Sequence, residues 1–358
     1  MTGLYIHVPF CLSKCPYCDF YSVKYSRETA LQYKNAVIRN IQHYQSSSTV
    51  FDTVYFGGGT PILLWREICE IMEHIRISDR CEITVEANPC CCTEEALSAL
   101  RQAGVNRLSL GVQSFDDQEL SLLGRRHDGN KAEKAILLAY DCGFKNISAD
   151  LMLATPKQTK QSLKKSLERY CSLPVSHISA YMLKIEENTP FANTELVLPD
   201  EDEACELYLQ TVDALTKNGF NQYEISNFAL EGMESRHNLK YWRCEEYIGI
   251  GPAAHSYLDG RRFYAERDLQ GFIDRPVQQE ITDEEQAGDF EEYAMLKLRL
   301  AEGLCFKECA RFDVGKDVIL QRCNKIPDDL ILIDRERVRL TPKGFLLSNQ
   351  IITVITGY

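Results

Sequence analysis

Short apolar, β-rich runs recur through the first half of the chain, at residues 4–8, 53–56, 82–87, 107–112, 147–153 and 177–183. Between them, residues 27–44, 63–77, 93–103, 131–142 and 159–171 carry apolar side chains at helical spacing, and Thr93 followed by Glu95 and Ala96 has the chemistry of a helix N-cap. Strand and helix alternate about six times, which predicts a parallel sheet, because parallel neighbours need a crossover that a helix supplies. From about Pro199 the rhythm changes. An acidic start at residues 200–206 leads into another helix, and residues 221–260 read as loop-rich and aromatic. Residues 290–301 read as an amphipathic helix, and 330–340 with Thr341, Pro342 and Gly344 as a small hairpin followed by a helix. The serine run at 46–48 reads as loop, and no internal repeat is visible.

The residues with unusual chemistry then choose among parallel β/α architectures. Cys11 follows the first predicted strand, the glycine run from Gly57 the second, Glu86 and Gln113 end the third and fourth, and Asp150 lies on the fifth. Such gathering at carboxyl ends is where β/α folds build their sites. Six units are too few for a closed eight-unit barrel. The expected fold class is α/β: a partial, TIM-like (β/α)6 barrel over residues 1–220, a loop-rich connecting segment over 221–280, and a smaller C-terminal α+β domain over 281–358. The opening of such a barrel suits a large substrate.

Composition narrows the setting. The 358 residues are 44% hydrophobic, enough for a substantial core, with no apolar run that would span a bilayer and no charged leader before an apolar stretch, so a cytoplasmic location is expected. A formal net charge of -12 argues against a nucleic-acid partner or broad attraction to anionic lipid, while leaving room for a local basic pocket or a peripheral membrane association. Fifteen cysteines, an odd number in a long chain, read as reduced thiols with metal ligands among them.

The densest chemistry is Cys11-Leu-Ser-Lys-Cys15-Pro-Tyr-Cys18. A helix would put all three thiols on one side, but Pro9 and Pro16 favour a loop. Three thiolates on a 4Fe-4S cubane leave one iron without a protein ligand. On spacing alone, a zinc site completed by a distant residue and three reduced core cysteines stay as alternatives, although no second CxxC pair lies nearby. Downstream, Gly57-Gly-Gly-Thr-Pro61 supplies bare backbone after a strand. Taken alone it is a turn, as a lone Glu86 or Arg125 is a solvated charge.

Pro-Phe before Cys11 and Tyr17 before Cys18 resemble the signature of the radical SAM superfamily, and the resemblance extends over almost the whole chain. It is closest to the group of oxygen-independent coproporphyrinogen III oxidases and their relatives, through Tyr5-Ile-His-Val-Pro-Phe-Cys11, the glycine run, Glu86-Ala-Asn-Pro, Gly111-Val-Gln-Ser-Phe115 and residues 296–303. The resemblance implies a radical SAM barrel, a 4Fe-4S cluster on Cys11, Cys15 and Cys18, and S-adenosyl-L-methionine (SAM) contacted by Tyr5, Tyr17, Gly58, Gly59, Thr60, Glu86, Gln113, Arg125 and Asp150. Within the group, the oxidases carry a further cysteine two positions after the third ligand and a longer amino-terminal extension; this chain has Asp19-Phe20 and reaches Cys11 almost at once.

His237-Asn-Leu-Lys-Tyr241-Trp242 matches an HNxxYW motif associated with heme in the chaperone branch of the group. That branch implies heme as a cofactor or cargo with His237 as candidate axial ligand, a heme-acceptor protein, and an electron donor such as a flavodoxin or ferredoxin. The alternative is the oxidase reaction, radical decarboxylation of porphyrinogen propionates, and whether the chain is an enzyme stays open. Three features depart from the group: Ala154 in Ala-Thr-Pro and Ala253 in Gly-Pro-Ala-Ala-His255 stand where glycine is usual, and Cys90-Cys91-Cys92 is unexpected. The cysteine run reads as a tolerated loop, with an auxiliary metal contact as its alternative, and Cys305 and Cys309 as helix or core residues.

Overall fold

The computed structural model describes residues 1–45, 49–284 and 287–357; the serine run at 46–48 lies outside the described residues. Each of the six apolar runs is a strand: β1 (Thr2–Val8), β2 (Phe51–Gly58), β3 (Ile77–Ala87), β4 (Arg107–Gln113), β5 (Asn146–Leu153) and β6 (His177–Met182). Consecutive strands pair in parallel. The crossovers are α1 (Arg27–Tyr44), α2 (Trp65–Met72), α3 (Glu94–Gln102), α4 (Gly129–Asp141) and α5 (Lys160–Ser172). Three of these begin on side-chain caps: Thr93 accepts from the Ala96 amide, Asp128 from Lys131, and Thr159 closes a capping box with Ser162. The helix expected over 63–77 is shorter. Pro61 opens a 3-10 turn first, and the chain leaves α2 after Met72 because Ile77 is captured as the parallel partner of Phe51.

Side chains alternate across the sheet. Leu4, Ile6, Val54, Phe56, Ile83, Val85, Leu108, Leu110, Ile147 and Ala149 are buried in the core beneath the helices. The residues between them are polar: Tyr55, Glu86, Arg107, Ser109, Asp150 and Ser179 line one cavity. A parallel sheet buried on both faces is ordinarily apolar on both. Polar residues at the inner parity therefore mark a concave face that encloses a site, and register sets them side by side, with Glu86 opposite Ser109 and Asp150 opposite Ser179.

The second half of the chain extends this sheet at both edges. After α6 (Glu201–Lys217), which Asp200 and Glu203 cap reciprocally, residues Asn227–Ala229 pair antiparallel with β6. Next come α7 (Arg236–Trp242) and β7 (Tyr247–Ile250), and β7 lies parallel to β1 on the opposite edge. The antiparallel β8 (His255–Leu258), β9 (Arg261–Ala265) and β10 (Glu280–Glu284) follow outward. The segment read as loop-rich thus also carries several short strands and a helix. Its strands are only two to five residues long, and β7 is buried at every position, so neither length nor alternation reveals them. The sheet order runs linearly from β10 to residues 221–222, an open partial barrel.

The tail packs as α8 (Phe290–Lys297), a three-stranded sheet of Leu304–Cys305, Arg337–Leu340 and Ile331–Ile333, and a helix Pro342–Leu346 capped by Thr341. Helix α8 stops short of residue 301 because Leu300 bridges to Glu224. Cys309 is a buried core residue. Among the described residues, no helix is long and apolar enough to cross a membrane.

Candidate functional site

The cysteine segment is a loop. Phe10–Cys11 pairs with Val23–Lys24, and the amides of Val23 and Tyr25 donate to the Pro9 and Cys11 carbonyls, so the loop returns beside its own start. All three thiols are partly exposed and line one cavity together with Gly58, Gly59, Thr60, Glu86, Gln113, Arg125 and Asp150. Tyr17, Phe20 and Tyr181 complete its walls. Eleven of the twelve sequence-predicted cluster and SAM residues therefore converge from five strand ends on one space.

Two glycines make this approach sterically open. Gly58 has φ 109°, and a Cβ there would lie 2.7 Å from the His7 ring; a Cβ on Gly59 would lie 2.6 Å from the Phe10 carbonyl oxygen. The bare backbone at the end of β2 thus packs directly under the start of the cysteine loop. Thr60 then points its hydroxyl at the Cys11 sulfur, 3.6 Å away. On the other side, Arg125 donates from Nη1 to the Cys15 sulfur at 3.4 Å and to the Tyr17 hydroxyl at 3.3 Å, and from Nη2 to the Gly111 carbonyl. Its Nε is buried and has no partner among the described residues. Burial pushes the Cys18 thiol above its ordinary range, and Cys15 and Cys11 add to that, so ionising Cys18 calls for a bound cation.

Two half-buried carboxyls line the cavity with the thiols. Glu86 accepts from the Tyr55 hydroxyl at 2.8 Å and the Gly58 amide at 3.1 Å. Burial still outweighs these bonds and raises its pKa to about 7. Asp150 is raised to about 6, again by burial, against the pull of Arg107 and Arg125. Gln113 adopts φ 73° at the end of β4, and its side-chain oxygen accepts from the Tyr181 hydroxyl at 2.8 Å. A ligand bringing a protonated amine and hydroxyls would favour the ionised form of both carboxyls. Among the described residues, no three His, Cys, Asp or Glu side chains are drawn together as a single-ion site.

Sequence reasoning missed Arg107. It is 1% exposed at the amino end of β4, its Nε and Nη1 have no partner among the described residues, and it lines a second cavity of about 540 Å³ that shares Tyr17, Cys18, Phe20, Glu86 and Asp150 with the first. The available signal was an arginine at the inner parity of an otherwise apolar strand, in step with Ser109.

Two expectations fare differently. Tyr5 does not line the thiol cavity; its hydroxyl bonds His7 Nδ1 at 3.0 Å and its ring packs on Tyr55 and His237. His237 is fully buried. The Glu82 carboxylate receives the amides of Arg236 and His237 and fixes the start of α7 against β3. The His237 ring then bonds Thr53 Oγ1 through Nδ1 at 2.8 Å and the Tyr241 hydroxyl through Nε2 at 2.7 Å. As folded, both ring nitrogens are engaged, and the ring's place is set by partners on β2 and β3 that no local motif reveals. Cys90, Cys91 and Cys92 form a turn whose first amide bonds Asn88, with Cys91 and Cys92 packed on the core.

Comparison with known proteins places these features. The family model described as the radical SAM superfamily matches residues 5–170. The heme chaperone HemW of Bacillus subtilis is 36% identical over 380 residues, covering 100% of both chains, and that of Lactococcus lactis is 35% identical over 365 residues, covering 98% of this chain and 96% of the relative. Among solved structures, coproporphyrinogen III oxidase (HemN) from Escherichia coli, a radical SAM enzyme, superposes with a TM-score of 0.82 at 22% identity, covering 100% of this chain and 90% of the other. That likeness is one of fold.

Proposed function

As the chain belongs to the radical SAM superfamily and, within it, to the HemW heme chaperones, we propose that it takes up heme and hands it to an acceptor protein. Membership implies a 4Fe-4S cluster and SAM as its cofactors. The observation that carries the reading is the convergence of three thiols, a glycine backbone, an arginine and two enclosed carboxyls on one cavity.

The residues present fit those cofactors. Cys11, Cys15 and Cys18 would hold three irons, and Arg125, fixed beside Cys15, would offer a permanent cation to a carboxylate. Gly58 and Gly59 admit a ligand's amine to the backbone, while Glu86, Gln113 and Asp150 accept hydrogen bonds from amine and hydroxyl groups. When bound, the cluster supplies an iron open to SAM and a source of one electron. The protein's part is to orient SAM and to exclude water with Tyr17 and Tyr181, while Glu86 and Asp150 offer acceptors whose negative charge a bound cation favours. An electron donor such as a flavodoxin or ferredoxin, and a heme-acceptor protein, complete the set of partners.

Phe20, in the place of the oxidases' further cysteine, favours the chaperone over the decarboxylase. Anaerobic reconstitution tests the reading: iron and sulfide at one cluster per chain, loss of both in Cys18→Ser, and stoichiometric heme uptake are expected. Sustained carbon dioxide release from coproporphyrinogen with SAM and a reductant would overturn it.

A further inference from the structure

A third cavity, of about 430 Å³, opens beside the first two and is within the range of cofactor pockets, about 300–1,000 Å³. Its wall includes Tyr241 of the HNxxYW stretch, yet His237 behind that wall has both nitrogens engaged. Two other histidines line the same cavity: His7, whose ring nitrogens bond the Tyr5 hydroxyl and the Tyr21 carbonyl, and His255, at the start of β8. The His255 ring stacks on Tyr264 with centroids 5.3 Å apart, which fixes its plane, and among the described residues no group hydrogen-bonds either ring nitrogen. The side chain is exposed at the cavity mouth, and the burial it does have, with Arg267 and Arg262 nearby, holds its pKa below the ordinary histidine range despite Asp283, which leaves the ring neutral at neutral pH.

The remaining walls have the chemistry of a porphyrin site. Tyr5, Tyr21 and Tyr247 are aromatic, Asp19 is the one carboxylate, and Arg267 is an exposed cation with no hydrogen-bond or ion-pair partner among the described residues. Phe20 is 65% exposed, a large aromatic side chain in water two residues after Cys18. It lines this cavity as well as the thiol cavity and the Arg107 cavity. A macrocycle lying here would cover Phe20, meet Arg267 with a propionate, and present its iron to an imidazole.

Resting on the chaperone reading, we propose that His255 is the axial ligand of heme in this cavity, and that Phe20 joins the bound porphyrin edge to the cysteine loop. Coordination is donation of one imidazole lone pair to iron, with no change of oxidation state. The HNxxYW stretch then serves the site from behind: His237 holds Tyr241 in the wall, and His255 touches the metal.

The test is hemin titration of the reconstituted full chain, wild type beside His255→Ala and His237→Ala, read by the Soret band and the spin state in electron paramagnetic resonance. His255→Ala is expected to weaken binding at least about tenfold and to change the spectrum, and added imidazole should restore the wild-type spectrum by filling the vacated place. SAM binding, measured in parallel, should persist in His255→Ala and reports that the variant is folded. His255→Ala with wild-type affinity and spectrum, beside a wild type that binds heme, overturns the assignment of the ligand alone. Loss of heme that imidazole does not restore, in a variant that still binds SAM, also overturns it. A wild type that takes up no heme sinks the chaperone reading itself.

Discussion

Replacing Glu86 with glutamine separates what this carboxyl costs the fold from what it does for a ligand. Its displacement from the ordinary 4.5 to about 7 corresponds to roughly 3 kcal/mol, an upper figure because the open side of the cavity lets solvent screen the charge. The sign follows from linkage. The folded pKa lies above the unfolded one, so the folded state binds the proton more tightly, and stability present below pH 4.5 is lost as pH rises through 7. Glu86→Gln cannot ionise and should not show this loss. Glutamine has one acceptor for the Tyr55 hydroxyl and the Gly58 amide together, which imposes a cost, but that cost is the same at every pH. Guanidinium unfolding of the SAM-free protein at pH 5 and pH 8, followed by far-ultraviolet circular dichroism, isolates the titration. Relative to wild type, the variant should gain roughly 2 kcal/mol between the two pH values, while SAM binding falls. Parallel stability curves for the two proteins would refute the claim that Glu86 is an enclosed, protonated carboxyl, and unaltered SAM affinity would remove it from the binding site.

Two further outcomes follow from the same geometry. His237→Ala strips partners from two buried hydroxyls, Thr53 and Tyr241, and leaves a cavity, so unfolding should cost about 2–4 kcal/mol less while the spectrum of bound heme is unchanged; a shifted spectrum at unaltered stability would return His237 to the iron. Ala253 sits at φ 66°, a left-handed conformation that costs an alanine about 1–2 kcal/mol, so Ala253→Gly should raise the unfolding free energy by about 1 kcal/mol in a denaturant titration, and a loss would show that the methyl group packs productively. Ala154, at φ 55°, is the other place where the related group favours glycine, and the backbone explains that preference at both positions.

Much of the site was legible because its parts are short and contiguous. The cysteine spacing, the glycine run and the polar residues ending apolar strands each carry their chemistry within a few positions, and a parallel sheet must bring consecutive strand ends together. His237 shows the limit. Its motif is local, but its role depends on Thr53, Glu82 and Tyr55, drawn from two strands more than 150 residues earlier.

From its sequence alone this protein has its strand order from β1 to β6, the carboxyl-end placement of its site and the three thiols on one loop, because alternation and helical crossovers leave few ways to pair six parallel strands. The tertiary structure decided the rest. It turned His237 inward onto β2, set Arg107 inside the barrel with Nε and Nη1 unpartnered among the described residues, and laid β7 against β1 so that His255, just beyond β7, lines one cavity with Phe20. These are contacts between residues distant in the chain, and which of several histidines keeps a free nitrogen depends on the partners that packing brings to it.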